Sequence, residues 1–286
     1  MVYWYYLVLA SSLLMGLSTI TEKRLLKAEH ATAYSTAFST LIALFSLLFL
    51  PFAKFNIKAS DVIIIYIISV INAASYLTTA RTYKHSNISI VSPINSSIPV
   101  LFTVIFAVLF LGESLSVLQY FCIGVITSVT YLLVFVTPKN ESSFDSPKYK
   151  YILIANTMVI AAGGVASKYV LATINPFAFL ILLEFFIALN FNILLGLRYG
   201  GAKELVREIS NHRIPLLLIT VFTLGYRLLY YVALVTAPIS IASPLRNTIF
   251  VIMTIFAGNI IFKENALYKR LALSAILLLA TYFLIV

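Results

Sequence analysis

Charged residues are scarce in this 286-residue chain, where lysine, arginine, aspartate and glutamate together make up 10%. A soluble domain carries roughly 25% of charged residues, whereas this chain is 61% hydrophobic and has a mean hydropathy of +1.00. It therefore cannot cover itself with polar surface. We predict an all-α integral membrane protein, because only helices and closed barrels satisfy their backbone in lipid, and the apolar runs here do not alternate as barrel strands do.

Cysteine and histidine are also rare, which excludes several kinds of site. The single cysteine, Cys122, allows no intrachain disulfide and implies no cysteine-based metal site. The histidines, His30, His85 and His212, lie between apolar runs and lack metal-ligand spacing. The sequence contains no nucleotide-binding glycine loop and no nucleophile–base cluster. We therefore expect no enzyme, no cofactor and no direct use of ATP.

The net charge of +10 would suggest a nucleic-acid partner in a soluble protein. Here the basic residues lie mostly in short connections between apolar runs, where they anchor lipid headgroups and set topology. The expected partners are the lipid bilayer and a small-molecule substrate, with no nucleic acid. Connections after the odd-numbered spans hold fifteen Lys and Arg against three in the others, which favours both termini outside.

Ten apolar runs are long enough to cross a bilayer, which takes about 20 residues each. They are predicted at about 3–21, 32–53, 61–83, 89–111, 116–137, 151–173, 176–197, 214–236, 240–262 and 267–286. The most hydrophilic stretch, residues 138–150, is typical of a linker. A second polar connection, residues 200–213, has room for a short surface helix.

An internal repeat organises these runs. Residues 88–113, ISIVSPINSSIPVLFTVIFAVLFLGE, return 151 positions later as residues 239–264, ISIASPLRNTIFVIMTIFAGNIIFKE, with nine of 26 positions identical and no gap. We therefore divide the chain into a first five-span repeat (1–137), a polar linker (138–150) and a second five-span repeat (151–286). Because five is odd, the second repeat enters the membrane in the opposite sense, which gives inverted repeats.

Each repeat has a Ser-Pro pair early in its fourth span and a glutamate just after that span, Glu113 or Glu264. In these motifs and in its ten spans the whole chain resembles the EamA-like, ten-helix branch of the drug/metabolite transporter superfamily. The resemblance implies secondary transport of small metabolites, often export, through a central cavity lined by spans 3, 4, 8 and 9 with help from 1 and 6. It also implies cytoplasmic termini, in conflict with the charge bias. We expect a multi-pass protein of the cell membrane.

Three charged residues lie deep within predicted spans, where each costs at least a few kcal/mol unless paired or wet. They are Glu184 in span 7, Arg227 in span 8 and Arg246 in span 9. One interpretation is a structural ion pair between Glu184 and one arginine. The other is that the remaining guanidinium binds a carboxylate or phosphate, which its planar fork suits. If transport is coupled to a proton, Glu184 is the candidate to carry it.

Uncharged polar residues extend the candidate substrate-binding set. Asn247 and Thr254 are seven residues apart and therefore share one helix face, and the matching face of span 4 carries Ser96 and Thr103. The remaining candidates are Asn95, Tyr76 and Tyr226. Any one of these side chains could equally serve only as a bond between helices or as packing.

Charged residues near the span ends are expected to have local roles. Glu113 and Glu264 each precede a span, so we expect each carboxylate to cap the positive start of the helix that follows it. Lys168 and Arg81 lie close enough to span ends to reach the membrane interface with their long side chains.

These observations favour a secondary transporter of a small metabolite, which is anionic if the spare guanidinium binds it. It would work by alternating access through a central cavity between the two halves. The candidate coupling ion is a proton, carried by Glu184. The alternative is a membrane-embedded structural or partner protein whose polar residues only join helices.

Overall fold

The computed structural model describes the backbone of residues 4–26, 31–85, 88–135, 147–198, 201–261 and 267–285. Side chains are described for residues 4–26, 31–82, 99–132, 155–197, 201–261 and 272–285. Within these ranges the protein is all helical, without a strand. The expected fold class is confirmed to that extent, and the number of spans and their inverted arrangement stay predictions.

Eleven α-helices follow one another along the described chain. They are α1 (Trp4–Leu26), α2 (Ala31–Ser46), α3 (Ala59–His85), α4 (Ile88–Leu111), α5 (Val117–Phe135), α6 (Pro147–Leu171), α7 (Pro176–Arg198), α8 (Ala202–Asn211), α9 (Arg213–Thr236), α10 (Ile239–Ile260) and α11 (Leu267–Ile285). Six segments within the described residues are long and apolar enough to cross a membrane, namely Trp4–Leu26, Ala31–Phe52, Ala59–Thr82, Pro176–Leu197, Arg213–Thr236 and Ile239–Ile260.

Local sequence explains where several helices begin and end. Pro51 lacks a backbone N–H and clashes with a straight α-helix, and the predicted second span accordingly finishes as a 3-10 turn, Leu47–Phe52. At the start of α7, the Asn175 side chain accepts hydrogen bonds from the N–H groups of Phe177 (3.0 Å) and Ala178 (3.3 Å). Asparagine is a favoured N-cap, and Pro176 suits the first helical position.

The helices pack as an interleaved bundle. Helix α1 lies against α9 and α10, α3 against α6 and α7, α4 against α6 and α10, α2 against α7, and α5 against α11. Buried serines and threonines join some of these pairs: Ser11 Oγ donates to Tyr226 O at 2.7 Å, and Ser18 Oγ and Thr223 Oγ1 share a 2.7 Å hydrogen bond. Ser18 comes later than Ser11 along α1, whereas its partner Thr223 comes earlier than Tyr226 along α9. The two helices therefore run antiparallel.

The short helix α8 lies within the polar connection where a surface helix was considered. Its Leu205 and Ile209 pack against a core formed by α1, α2 and α9, while Val206 is 65% exposed. Arg207 pairs with Glu204 one turn away at the surface. The helix is therefore amphipathic, as expected at a membrane interface.

Gly16 allows α1 to approach α10 closely at Met253. A Cβ atom placed on Gly16 would lie 2.8 Å from Met253 Sδ and 3.2 Å from Met253 Cβ, whereas one on Gly124 would meet nothing within 4 Å. We expect Gly16→Ala to be less stable than Gly124→Ala by about 1 kcal/mol or more, because both changes gain the same helix propensity and only the first overpacks the helix contact. Thermal unfolding of both variants in detergent checks this, and equal unfolding temperatures would contradict the close contact.

Candidate functional site

A cavity of about 230 Å³ lies among the helices. Its walls come from α1, α2, α3, α4, α6, α9 and α10, and it has room for several water molecules or a small solute. Many of the lining side chains are hydroxyls, amides, tyrosines or charged groups. Such groups are costly in a dry membrane interior unless they are bonded or wet. We therefore regard this cavity as the candidate functional site.

Arg227 forms the centre of the cavity wall on α9. Its Nη1 donates to Glu184 Oε1 on α7, and both side chains are almost completely buried, at 4% and 0% exposed. The guanidinium lies 4.8 Å from the centre of the Tyr76 ring on α3, a cation–π distance. Arg227 Nη2 and Glu184 Oε2 have no hydrogen-bond partner among the described residues. Of the two interpretations, a Glu184 ion pair with one arginine is the arrangement observed.

Arg246 lies nearer the end of the cavity at which α10 begins. Its guanidinium carbon is 3.8 Å from the centre of the Tyr230 ring, so the charged group stacks on the face of the tyrosine. Its Nε is buried and has no hydrogen-bond partner among the described residues, and the structure records no ion pair for it in those ranges. Among the described residues, Arg246 is therefore the cavity arginine without a carboxylate partner.

Glu22 also lines the cavity, although the sequence analysis treated it only as part of a polar span end. Because α1 and α9 are antiparallel, Glu22 lies beyond the Ser18–Thr223 contact, toward the start of α9. Arg246, stacked on Tyr230, lies in the other direction. The helix rise from Thr223 to Tyr230 alone corresponds to roughly 10 Å, so the carboxylate and the unpaired guanidinium occupy opposite ends of the cavity.

The predicted site residues divide into three groups. Six line the cavity: Tyr76, Thr103, Tyr226, Arg227, Arg246 and Asn247. Glu184 lies behind Arg227, and Thr254 is fully buried with its hydroxyl donating to Val251 O at 2.9 Å. Asn95 and Ser96 lie outside the described side chains. Whether any of these residues binds a substrate stays a prediction.

The expectation that Glu113 caps the helix that follows it was wrong. Glu113 caps α10 rather than the following helix α5: its carboxylate accepts hydrogen bonds from the N–H groups of Ile239 and Ser240, both at 2.9 Å, and from the Ser240 hydroxyl. Helix α5 is instead capped locally, because Ser116 and Gln119 exchange side-chain to backbone hydrogen bonds. Glu264 lies outside the described residues.

The Lys168 ammonium binds the main chain of another helix. Its Nζ donates to Leu234 O at 2.5 Å and to Ala237 O at 2.9 Å, the carbonyls at the end of α9. Arg81 is exposed, in agreement with its expected surface position. Glu113 and Lys168 both bind helices that are distant in sequence, and local spacing does not reveal such partners.

The signal that could have identified Glu22 is a polar stripe on α1. Met15, Ser18, Thr19 and Glu22 recur at helical spacing, and all four line the cavity. The corresponding stripe on α3 is Asn72, Ser75, Tyr76 and Thr79, and these residues line it too. A search for polar helical faces in the spans without deep charges would have found both stripes.

Comparison with known proteins gives a family and a fold. Residues 2–135 match the EamA-like transporter family. A protein of known crystal structure has a similar fold, with a TM-score of 0.70 at 11% sequence identity, over 99% of this chain and 98% of that one. No protein of curated function matches the sequence significantly. Residues 2–135, just under half of the chain, are thus similar to the EamA-like transporter family, and the shared fold extends over nearly the whole chain.

Proposed function

We propose that this protein is a secondary transporter of the cell membrane that carries a small metabolite with an anionic group. Transport proceeds by alternating access through the central cavity, between two inverted five-helix halves. The observation that carries this proposal is Arg246, whose guanidinium borders the cavity without a carboxylate partner among the described residues. The match of residues 2–135 to a transporter family supports it.

The two arginines differ in what they can offer a solute. Arg227 is already neutralised by Glu184 and held against Tyr76. Arg246 keeps its charge and its planar donors, and Tyr230 fixes the plane of the guanidinium. A carboxylate or phosphate that enters the cavity would supply the missing partner and receive charge-assisted hydrogen bonds. A scaffold protein would gain nothing from leaving such a group unpaired.

The composition of the cavity wall supports the inverted repeat. Lining residues occur in pairs at the 151-residue offset of the sequence repeat: Asn72 with Thr223, Ser75 with Tyr226, Tyr76 with Arg227, and Thr79 with Tyr230. A second set occurs at the 145-residue offset: Met15 with Ile160, Ser18 with Gly163, Thr19 with Gly164, and Glu22 with Ser167. Equivalent positions that share one cavity are expected when a pseudo-twofold axis passes through it.

Helix packing has the same symmetry. If α1–α5 correspond to α6, α7, α9, α10 and α11, the contact of α1 with α9 corresponds to that of α6 with α3, and α1 with α10 to α6 with α4. The contacts of α2 with α7, α4 with α10 and α5 with α11 correspond to themselves. Two such halves can rock against each other about a fixed central site.

We infer a proton as the coupling ion, with Glu22 as the group that carries it. Glu22 lines the cavity and is only partly buried. Glu184, the candidate from the sequence, is fully enclosed behind Arg227. A coupling carboxylate must exchange protons with water in the cavity, which favours Glu22.

The first prediction concerns Arg246. We expect Arg246→Ala to lower the rate of substrate counterflow in proteoliposomes about tenfold or more, because a charge-assisted hydrogen bond to the solute is lost. Arg246→Lys should keep part of the activity, since it retains the charge but not the planar fork. A panel of small carboxylates and phosphate esters identifies the solute to use.

Arg207→Ala is the matched control, since this arginine is exposed on the surface helix α8. It should leave counterflow unchanged. Full counterflow by a well-folded Arg246→Ala protein would contradict the proposed binding role. If the panel gives no counterflow with the unmodified protein, the structural or partner-protein alternative is favoured.

A second prediction separates the Arg227–Glu184 pair from the binding role. We expect Arg227→Met to cost about 3–5 kcal/mol of stability, because it leaves the buried Glu184 carboxylate without its partner. The double variant Arg227→Met with Glu184→Leu should recover most of that loss, because both charges are removed together. Unfolding temperatures in detergent test this; a double variant as unstable as the single one would argue against a structural pair.

The third prediction tests proton coupling. We expect Glu22→Gln to abolish solute accumulation driven by a pH gradient while solute exchange without a gradient continues, because glutamine cannot carry a proton. Glu204→Gln, a change on the surface of α8, is the control and should keep the gradient response. If Glu22→Gln still responds to the gradient and Glu184→Gln does not, the coupling role belongs to Glu184.

A further inference from the structure

We propose that the turn between α9 and α10, at Ala237 and Pro238, is the closed gate at one end of the cavity, held shut by Glu113 and Lys168. This inference rests on the proposed alternating-access function and adds a specific device to it. The device consists of two charged side chains from α4 and α6 that bind the main chain on the two sides of one turn.

Glu113 holds the beginning of α10. The first N–H groups of a helix have no partner within the helix, and Glu113 accepts hydrogen bonds from two of them, those of Ile239 and Ser240. The Ser240 hydroxyl donates to the same carboxylate. Gly112 directly follows α4 and has a φ of 65°, a left-handed conformation that turns the chain just before Glu113.

Lys168 holds the end of α9. Its ammonium donates to the carbonyls of Leu234 and Ala237, which the last turn of a helix leaves exposed. The charges suit their positions, since a helix end favours a cation and a helix start favours an anion. The junction of α9 and α10 is thus held by two side chains from other parts of the chain, Lys168 and Glu113.

The turn closes the cavity with a dry seal. Leu234, Ala237, Ile239 and Ser240 are at most 1% exposed, and Leu234 and Ile239 border the cavity from this end. A Cβ atom on Gly164 of α6 would lie 3.7 Å from Ile239 Cδ1, so α6 packs directly on the turn. A solute could leave at this end only if α10 separated from α4 and α6.

The surrounding residues are asymmetric in the same sense. Tyr34, Ser35 and Phe38 of α2 line the cavity toward the Glu22 end. Their counterparts at the 145-residue offset are Phe179, Leu180 and Leu183 of α7. Both sets are buried, the α2 residues being at most 7% exposed, but the three α7 residues do not line the cavity. In a repeat protein such a difference between equivalent positions is expected when one end is closed and the other is not.

The cap of α10 comes from Glu113, a residue outside that helix, rather than from the N-cap residue itself. This arrangement suits a gate. The N-cap residue of α10 is Pro238, which provides no side-chain cap. Helix α5, in contrast, uses its own Ser116 and Gln119. A cap supplied by another helix is released when the two helices part. Glu113 and Lys168 lie at helix ends, so water would replace the lost hydrogen bonds, and the net cost of opening stays well below the gross bond strength.

Side-specific cysteine labelling tests the gate without any solute. In a Cys122→Ala background, Ser243→Cys places a thiol on the cavity wall one turn beyond Ser240, and a membrane-impermeant maleimide is added to either face of sealed vesicles. Thr236→Cys, at an exposed position at the end of α9, identifies the face on which the turn lies. When Glu113 and Lys168 are both present, Ser243→Cys should react slowly with maleimide added to that face.

We expect Glu113→Gln and Lys168→Met each to raise the labelling rate of Ser243→Cys from the face of the turn about tenfold, since each removes charge-assisted bonds from the closed state. Glu204→Gln should not change it. If both gate variants are folded, as judged by unfolding temperature, and neither changes the labelling, the pair is only a structural brace and the proposal is wrong.

The two proposals can fail separately. Faster labelling in the gate variants, together with no counterflow of any tested metabolite by the unmodified protein, would support the gate and contradict the proposed transport. Counterflow that depends on Arg246, together with unchanged labelling in both gate variants, would support transport and overturn the gate.

Discussion

The arrangement of the membrane-embedded helices depends on the cost of placing charge in hydrocarbon. A guanidinium or carboxylate within a span must be paired or reach water. The Arg227–Glu184 ion pair meets this condition for two charges and joins α9 to α7, while the stacking of Arg227 on Tyr76 adds α3. Arg246 is left with an aromatic face and the cavity. The cavity thus lies beside the arginine that has no carboxylate partner among the described residues.

Much of the fold could be predicted from the sequence because its main determinants are local. Apolar runs of sufficient length define helices, Pro51 and Asn175 mark where helices change or begin, and the repeat at 151 residues is visible without a structure. The ion pair was one of two open interpretations, since a deep glutamate has few possible partners. That much follows from composition, length and the cost of buried charge.

Contacts between distant helices could not be predicted in this way. The carboxylate of Glu113 had two helix starts within reach in principle, and only the tertiary structure shows that it binds α10 while Ser116 satisfies α5. Lys168 could equally extend to water or bind α9. Glu22 was missed because basic neighbours made it resemble an ordinary span end. In each case the partner was set by packing between helices.

The charges fall into two classes by depth, and depth accounts for their different roles. Glu184 and Arg227 are buried within the bundle, where the loss of a partner cannot be compensated by bulk water. Arg246 borders the cavity. Glu113 and Lys168 lie at helix ends, where water can replace each lost bond at modest cost. Glu113 and Lys168 could therefore release and rebind their main-chain partners repeatedly, as the proposed gate requires. The deep charges are placed asymmetrically with respect to the sequence repeat, since Tyr76 occupies the position equivalent to Arg227 and Ser39 that of Glu184. The two halves therefore differ most in the charge that they bring to the bundle.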